Sequence, residues 1–206
     1  MREQTIDAFL GALAARTAAP GGGASAALQA AQSAALLAMV ARYSDGPKYS
    51  GHAEAISWVL AEAEQLRESC TDLIAADAEA FGAVAAAYKL PKDTADLADS
   101  RAAAIAAALT GAAEPPTAVI KAGARLIALA NTLRQIGNRS VIADIAAAAE
   151  AIRAAVATAR LNLQVNLRGM TDDAAKARFT DVIDLADHVA TKATGISVAV
   201  LADLDR

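Results

Sequence analysis

Aromatic residues are nearly missing from this sequence: Phe, Trp and Tyr together make up 3% of a 206-residue chain that is 55% hydrophobic. The apolar mass is therefore mostly alanine, with Leu, Ile and Val supplying the bulk. Strands favour the aromatic and β-branched residues that are scarce here. Alanine has the highest helix propensity and loses no side-chain entropy on folding. The expected class is all-α. Small side chains also let helix axes approach closely, so a compact bundle follows.

Other shortages exclude whole chemistries. The one cysteine, Cys70, rules out an intrachain disulfide and suits a reducing compartment. It reads as a small buried hydrophobe. His52 and His188 are the only histidines and lack metal-ligand spacing, so no zinc site is expected. Lys and Arg are dispersed in a chain of net charge −4, which argues against nucleic-acid binding. There is no GxSxG elbow, HExxH or Walker loop. Any catalysis must therefore come from positioned Lys, Asp, Tyr, Ser and amide groups.

What is present divides into about seven helices. Breakers and periodicity place them near 3–17, 24–42, 52–88, from Asp93 or Thr94 to Gly111, from Glu114 to Gly137, 139–168 and 172–204. Gly137-Asn138 suggests a left-handed helix end. The uncharged run between Arg16 and Arg42 is long enough to cross a bilayer. Its glycines, Pro20, Gln29 and Gln32 instead suit a core helix entered through a loop, so no membrane association is expected and the location expected is cytoplasmic. Residues 1–206 read as a single domain. The second helix is uncharged and the sixth nearly so; both need covering, which favours a symmetric dimer over a monomer.

Several segments can carry chemistry. Pro20-Gly21-Gly22-Gly23-Ala24-Ser25 can aim backbone N–H groups, backed by a helix start, at an anion; a plain turn or close helix crossing is the bland alternative. Ser25, Gln29 and Gln32 form a polar stripe that needs partners. Lys48 and Tyr49 lie in a loop from which a lysine can reach over a pocket, though solvated lysines are common. Asp77, Phe81 and Tyr88 share a helix face at i, i+4 and i+11, as an ordinary surface also allows. Asp144 has apolar neighbours on all sides and is either a functional acid or a helix cap. Asn162 and Asn166, at i and i+4, can bridge helices or orient a ligand.

In this order the segments resemble the cyclodeaminase/cyclohydrolase family of folate enzymes. The resemblance rests on Pro20 to Ser25 before an Ala-rich helix, Lys48-Tyr49, Asp77-Ala78-Glu79-Ala80-Phe81, Tyr88-Lys89-Leu90-Pro91-Lys92 and Glu114-Pro115-Pro116. Gly137-Asn138 with Asp144, and Leu161 to Leu167, complete it over about residues 5–170. Each motif is weak alone; their ordered sum is specific. It implies an all-α homodimer that acts on tetrahydrofolate one-carbon units and holds no tightly bound cofactor. Cyclodeaminase is the first expectation: 5-formiminotetrahydrofolate closes to 5,10-methenyltetrahydrofolate and ammonia leaves. Methenyltetrahydrofolate cyclohydrolase is the alternative, and a non-catalytic folate-binding or structural dimer is the reading from another class. On this resemblance Asp144 is assigned as base or counter-charge and Lys48 as acid or anchor of folate carboxylates. Asp77 would bind the pterin. Gly21, Gly22, Gly23, Ser25, Tyr49, Phe81, Asn138, Asn162 and Asn166 would line the site. Ala143 stands where many members carry serine.

Overall fold

The computed structural model describes residues 3–204. Seven α-helices follow in order: α1 (Ile6–Ala14), α2 (Gly22–Arg42), α3 (Ala53–Tyr88), α4 (Ala95–Ala112), α5 (Glu114–Ile136), α6 (Ile142–Gly169) and α7 (Asp173–Leu204). Short 3-10 helices, Pro47–His52 and Arg139–Val141, lead into α3 and α6. No strand occurs among the described residues. The starts obey local chemistry: the Thr5 hydroxyl accepts from Ala8 N–H, Thr94 from Leu97, and the Asp172 carboxylate from Ala174 and Ala175. Pro115 and Pro116 occupy the first turn of α5, where a missing N–H costs nothing.

Helices α5 and α6 share the centre. Helix α6 packs on α2, α5 and α7, and α5 also packs on α3 and α7. Close approach is enforced at Gly123 of α5, where a Cβ would overlap the Val156 side chain of α6. Helix α2 lies between α3 and α6, antiparallel to both. It is long and apolar enough to cross a membrane, as is the α4–α5 stretch. In α2, however, the apolar side chains are largely spent on protein neighbours: Ala24, Ala27, Ala34, Leu37 and Val40 are fully covered. Cys70 is fully buried in the core, and that burial pushes its thiol up to about 11.

Two expectations need correcting, and a third is met in part. Helix α1 is shorter than its stripe suggests and lies on the surface; Phe9 is buried, but Ile6 and Leu10 stay exposed. Gly137 is extended rather than left-handed (φ −81, ψ 179). Glycine belongs there for space: an added Cβ would sit 2.6 Å from the Leu133 carbonyl oxygen and 3.3 Å from Ser44 Oγ. The stripe Ser25, Gln29, Gln32 divides: Ser25 and Gln29 are half-buried, with Gln29 Oε1 covered and without a donor, whereas Gln32 is exposed. With Ala35, Leu36 and Met39 of α2 and Ala147 and Ala151 of α6, Gln32 lines an open groove without a charged side chain.

Candidate functional site

Gly21 caps α2 in an extended conformation, and the helix starts at Gly22, two residues earlier than the sequence suggests. The reason for glycine at position 23 is tertiary. A Cβ there would overlap the carboxyl group of Asp77 on α3, with even the farthest atom, Oδ2, only 2.7 Å away. Removing that methyl lets a carboxylate sit against the first turn of α2, where it accepts the Ala24 N–H. The positive end of the helix favours an anion at this position.

Burial nevertheless raises the Asp77 pKa above the ordinary carboxylate value, with the Ala24 hydrogen bond pulling the other way. The fold thus favours the protonated acid. Its stabilising effect is complete below the ordinary carboxylate pKa and is lost as pH rises through the raised one. Asp77→Asn keeps an acceptor for Ala24 and carries no charge. It should melt above wild type at pH 7, and the gap should close by about pH 3. Thermal melts at both values check this; an equal gap at both would refute it.

Across from Asp77 stands α6. Asn162 lies beside Gly22, its Nδ2 3.6 Å from where a Gly22 Cβ would be, and that amide nitrogen is covered without a hydrogen-bond acceptor. Asn166, one turn on, donates its Nδ2 to the Ala112 carbonyl at the end of α4 over 2.8 Å. The two asparagines therefore divide the alternatives left by spacing. Asn166 bridges helices, whereas Asn162 presents an unspent donor. Backbone of Gly21, Gly22 and Gly23, together with Asp77, Phe81, Asn162 and Asn166, lines a cleft of about 150 Å³. Ala80, Ala112 and Val165 complete much of its wall. Ser25 is half-buried behind the glycines and is not in the lining.

The remaining sequence candidates stand at the other end of the bundle. Asn138 donates its Nδ2 to the Tyr43 carbonyl and its backbone N–H to Ser44 Oγ, both 2.8 Å, tying the entry of α6 to the exit of α2. Asp144 is half-buried in the first turn of α6 and caps nothing, because Asn138 accepts the Ser140 N–H instead. Lys48 is exposed, 5.5 Å from the centre of the Tyr49 ring. Helix α2 has 21 residues. At 1.5 Å per residue, roughly 30 Å separates this end from the glycine end. A single chain does not bring Lys48, Tyr49, Asn138 and Asp144 to the cleft.

Sequence reasoning missed the contact between Gly23 and Asp77 and the role of Thr158, which packs beside Gly22. It also passed over Arg101, whose guanidinium lies over the Tyr88 ring, 5.8 Å from its centre. No motif marks these residues. Among the described residues no cluster of His, Cys, Asp and Glu could hold a metal ion.

Fold and cleft together define an all-helical protein with a small polar pocket built from one carboxylate, a glycine-led helix start and side-chain amides. Residues 5–184 match the family described as formiminotransferase-cyclodeaminase. The chain is 40% identical over 172 residues to the methenyltetrahydrofolate cyclohydrolase of Methylorubrum extorquens, covering 83% of each protein. It is 34% identical over 177 residues to the rat formimidoyltransferase-cyclodeaminase, of which it spans only 33%. A crystal structure of formiminotetrahydrofolate cyclodeaminase from Thermotoga maritima matches with a TM-score of 0.85, covering 97% of this chain and 98% of that one. At 23% identity this likeness speaks to the fold. The chain belongs to the cyclodeaminase/cyclohydrolase family of folate one-carbon enzymes.

Proposed function

We propose that this chain hydrolyses 5,10-methenyltetrahydrofolate to 10-formyltetrahydrofolate. The observation that carries this choice over cyclodeamination is the 40% identity to a cyclohydrolase across 83% of both proteins. This proposal puts first the reaction that the sequence reading put second. In the reaction, water adds to the methenyl carbon and loses a proton to a base. The carbon–N5 bond then breaks as N5 takes up a proton, and the formyl group stays on N10. One proton is released overall. Asp77 suits the donor edge of the pterin, and the Asn162 amide suits an acceptor on the ligand. Asp144 is the proposed base and Lys48 the proposed acid or anchor.

For these groups to meet, we propose a homodimer. The cleft has room for one ring of a folate and not for its length. The groove between α2 and α6 is open and uncharged at Gln32, Leu36, Met39, Ala147 and Ala151. Gln32 is the midpoint of α2, and Ala151 lies near the midpoint between Asp144 and Asn162. A two-fold axis through this groove lays the Asp144 end of one copy beside the glycine end of the other. The site would then be shared between copies.

Purified protein given 5,10-methenyltetrahydrofolate should bleach the methenyl chromophore faster than the buffer reaction. Given 5-formiminotetrahydrofolate, it should not generate that chromophore. The opposite pattern would establish the cyclodeaminase, the second reading, which the mammalian relatives favour. No change in either assay with tetrahydrofolate still bound would leave a binding protein.

A further inference from the structure

The outer part of α3 is built differently from the rest. Its inner half buries Ile56, Val59, Leu66, Cys70 and Ile74, but beyond Asp77 only Ala87 is fully buried. Helix α4 runs back alongside it, with residues 95–100 exposed throughout. Such a hairpin contributes little to the core, yet it carries aromatic and aliphatic side chains into solvent. Phe81 and Tyr88 are each about half exposed, at 50% and 51%.

These residues form a line. Phe81 follows Asp77 by four residues and Tyr88 follows by eleven. Eleven residues at 100° each return to within about 20° of the starting direction, so Asp77 and Tyr88 share a face about 16 Å apart. Phe81, which also lines the cleft, stands between them. At the far end the Arg101 guanidinium covers the Tyr88 ring, and its Nη2 donates to the Tyr88 carbonyl over 3.1 Å. Its Nε is buried and has no acceptor. No ion pair among the described residues includes Arg101, Lys89 or Lys92.

A line of carboxylate, aromatic ring and guanidinium matches the order of groups along an extended folate. The pterin presents donors, the aminobenzoyl ring presents a face, and the glutamate ends in carboxylates. We infer that this hairpin binds the substrate's tail, with Phe81 against the aminobenzoyl ring and Arg101, held on Tyr88, receiving a glutamate carboxylate. The inference rests on the folate reading above. Attraction by overall charge does not explain it, because Asp93, Asp96 and Asp99 offset Lys89, Lys92 and Arg101 at this tip. Recognition therefore depends on the fork geometry of a guanidinium already stripped of one water partner.

The test compares methenyltetrahydrofolate with the methenyltetrahydropteroate that lacks glutamate, in wild type and in Arg101→Ala and Arg101→Lys. Wild type should show a KM about 10-fold lower for the glutamate-bearing compound, the size expected for one hydrogen-bonded charge. In Arg101→Ala the two KM values should converge while kcat is retained. Arg101→Lys should recover part of the difference. A wild-type ratio of one, a ratio that survives the alanine change, or an equal loss on both compounds with a fall in kcat would each overturn the proposal. Turnover of neither compound by wild type would instead remove the cyclohydrolase reading itself, and the tail site with it.

Discussion

Gly23→Ala is expected to lower turnover by at least about 100-fold, the cost of misplacing a positioned group by an ångström. It should also lower the Tm. Ordinary helix propensity predicts the opposite sign for stability: glycine to alanine within a helix gains about 1 kcal/mol. The clash decides the matter. The new methyl would occupy the space of the Asp77 carboxyl group. Asp77 must then swing away, leaving the Ala24 N–H unmatched, or the first turn of α2 must move. Overpacking of this kind costs about 1–3 kcal/mol and outweighs the propensity gain. Gly22→Ala supplies the contrast, since its methyl would meet Asn162 and Thr158 at ordinary contact distances of 3.6–3.8 Å. That variant should melt at or above wild type. If both variants melt alike, or Gly23→Ala keeps wild-type turnover, the contact between Gly23 and Asp77 has no functional weight.

Mixing two dead variants should restore activity. Asp77→Ala removes the carboxylate at the glycine end of the bundle, and Asp144→Asn removes the proposed base at the other end. If each site takes its glycine end from one copy and Asp144 from the other, each variant alone has two broken sites. A heterodimer instead has one doubly broken site and one intact. Random exchange of subunits makes half the dimers mixed, so activity should return to about one quarter of wild type. Unfolding and refolding the mixture before assay ensures exchange. Zero recovery, with exchange verified by a mass-tagged subunit, would mean that the two residues never work together across copies. Substantial activity in Asp144→Asn alone would remove it from the mechanism altogether.

The helices were readable because alanine, proline and capping side chains act within a few residues of themselves. Pro115, Thr94 and Asp172 each did locally what their type dictates. Asn162 and Asn166 were readable as a pair on one face, but not their division of labour, which depends on where the Ala112 carbonyl ends α4. Gly23 could be recognised as part of a helix start; its dependence on Asp77 joins residues 54 positions apart and leaves no local trace. Gln29 and Gln32 are indistinguishable in sequence for the same reason. A polar residue on an alanine helix suggests a buried partner, and only the packing of α3 and α6 around α2 shows which face is left uncovered. Asp144 and Lys48 join the glycines in one site only through the family resemblance, whose ordered motifs carry no information about distance within one chain.

The depth of Cys70 has a practical consequence. A thiol with a pKa of about 11 and no solvent access stays protonated and unreactive at neutral pH. Maleimides and thiol-reactive spin labels should therefore leave the folded chain unmodified. One new cysteine at the Lys48 turn, or at an exposed position on the α3–α4 hairpin, would carry the only probe in each subunit. Distances between identical probes would then map the association of two copies without any background to remove.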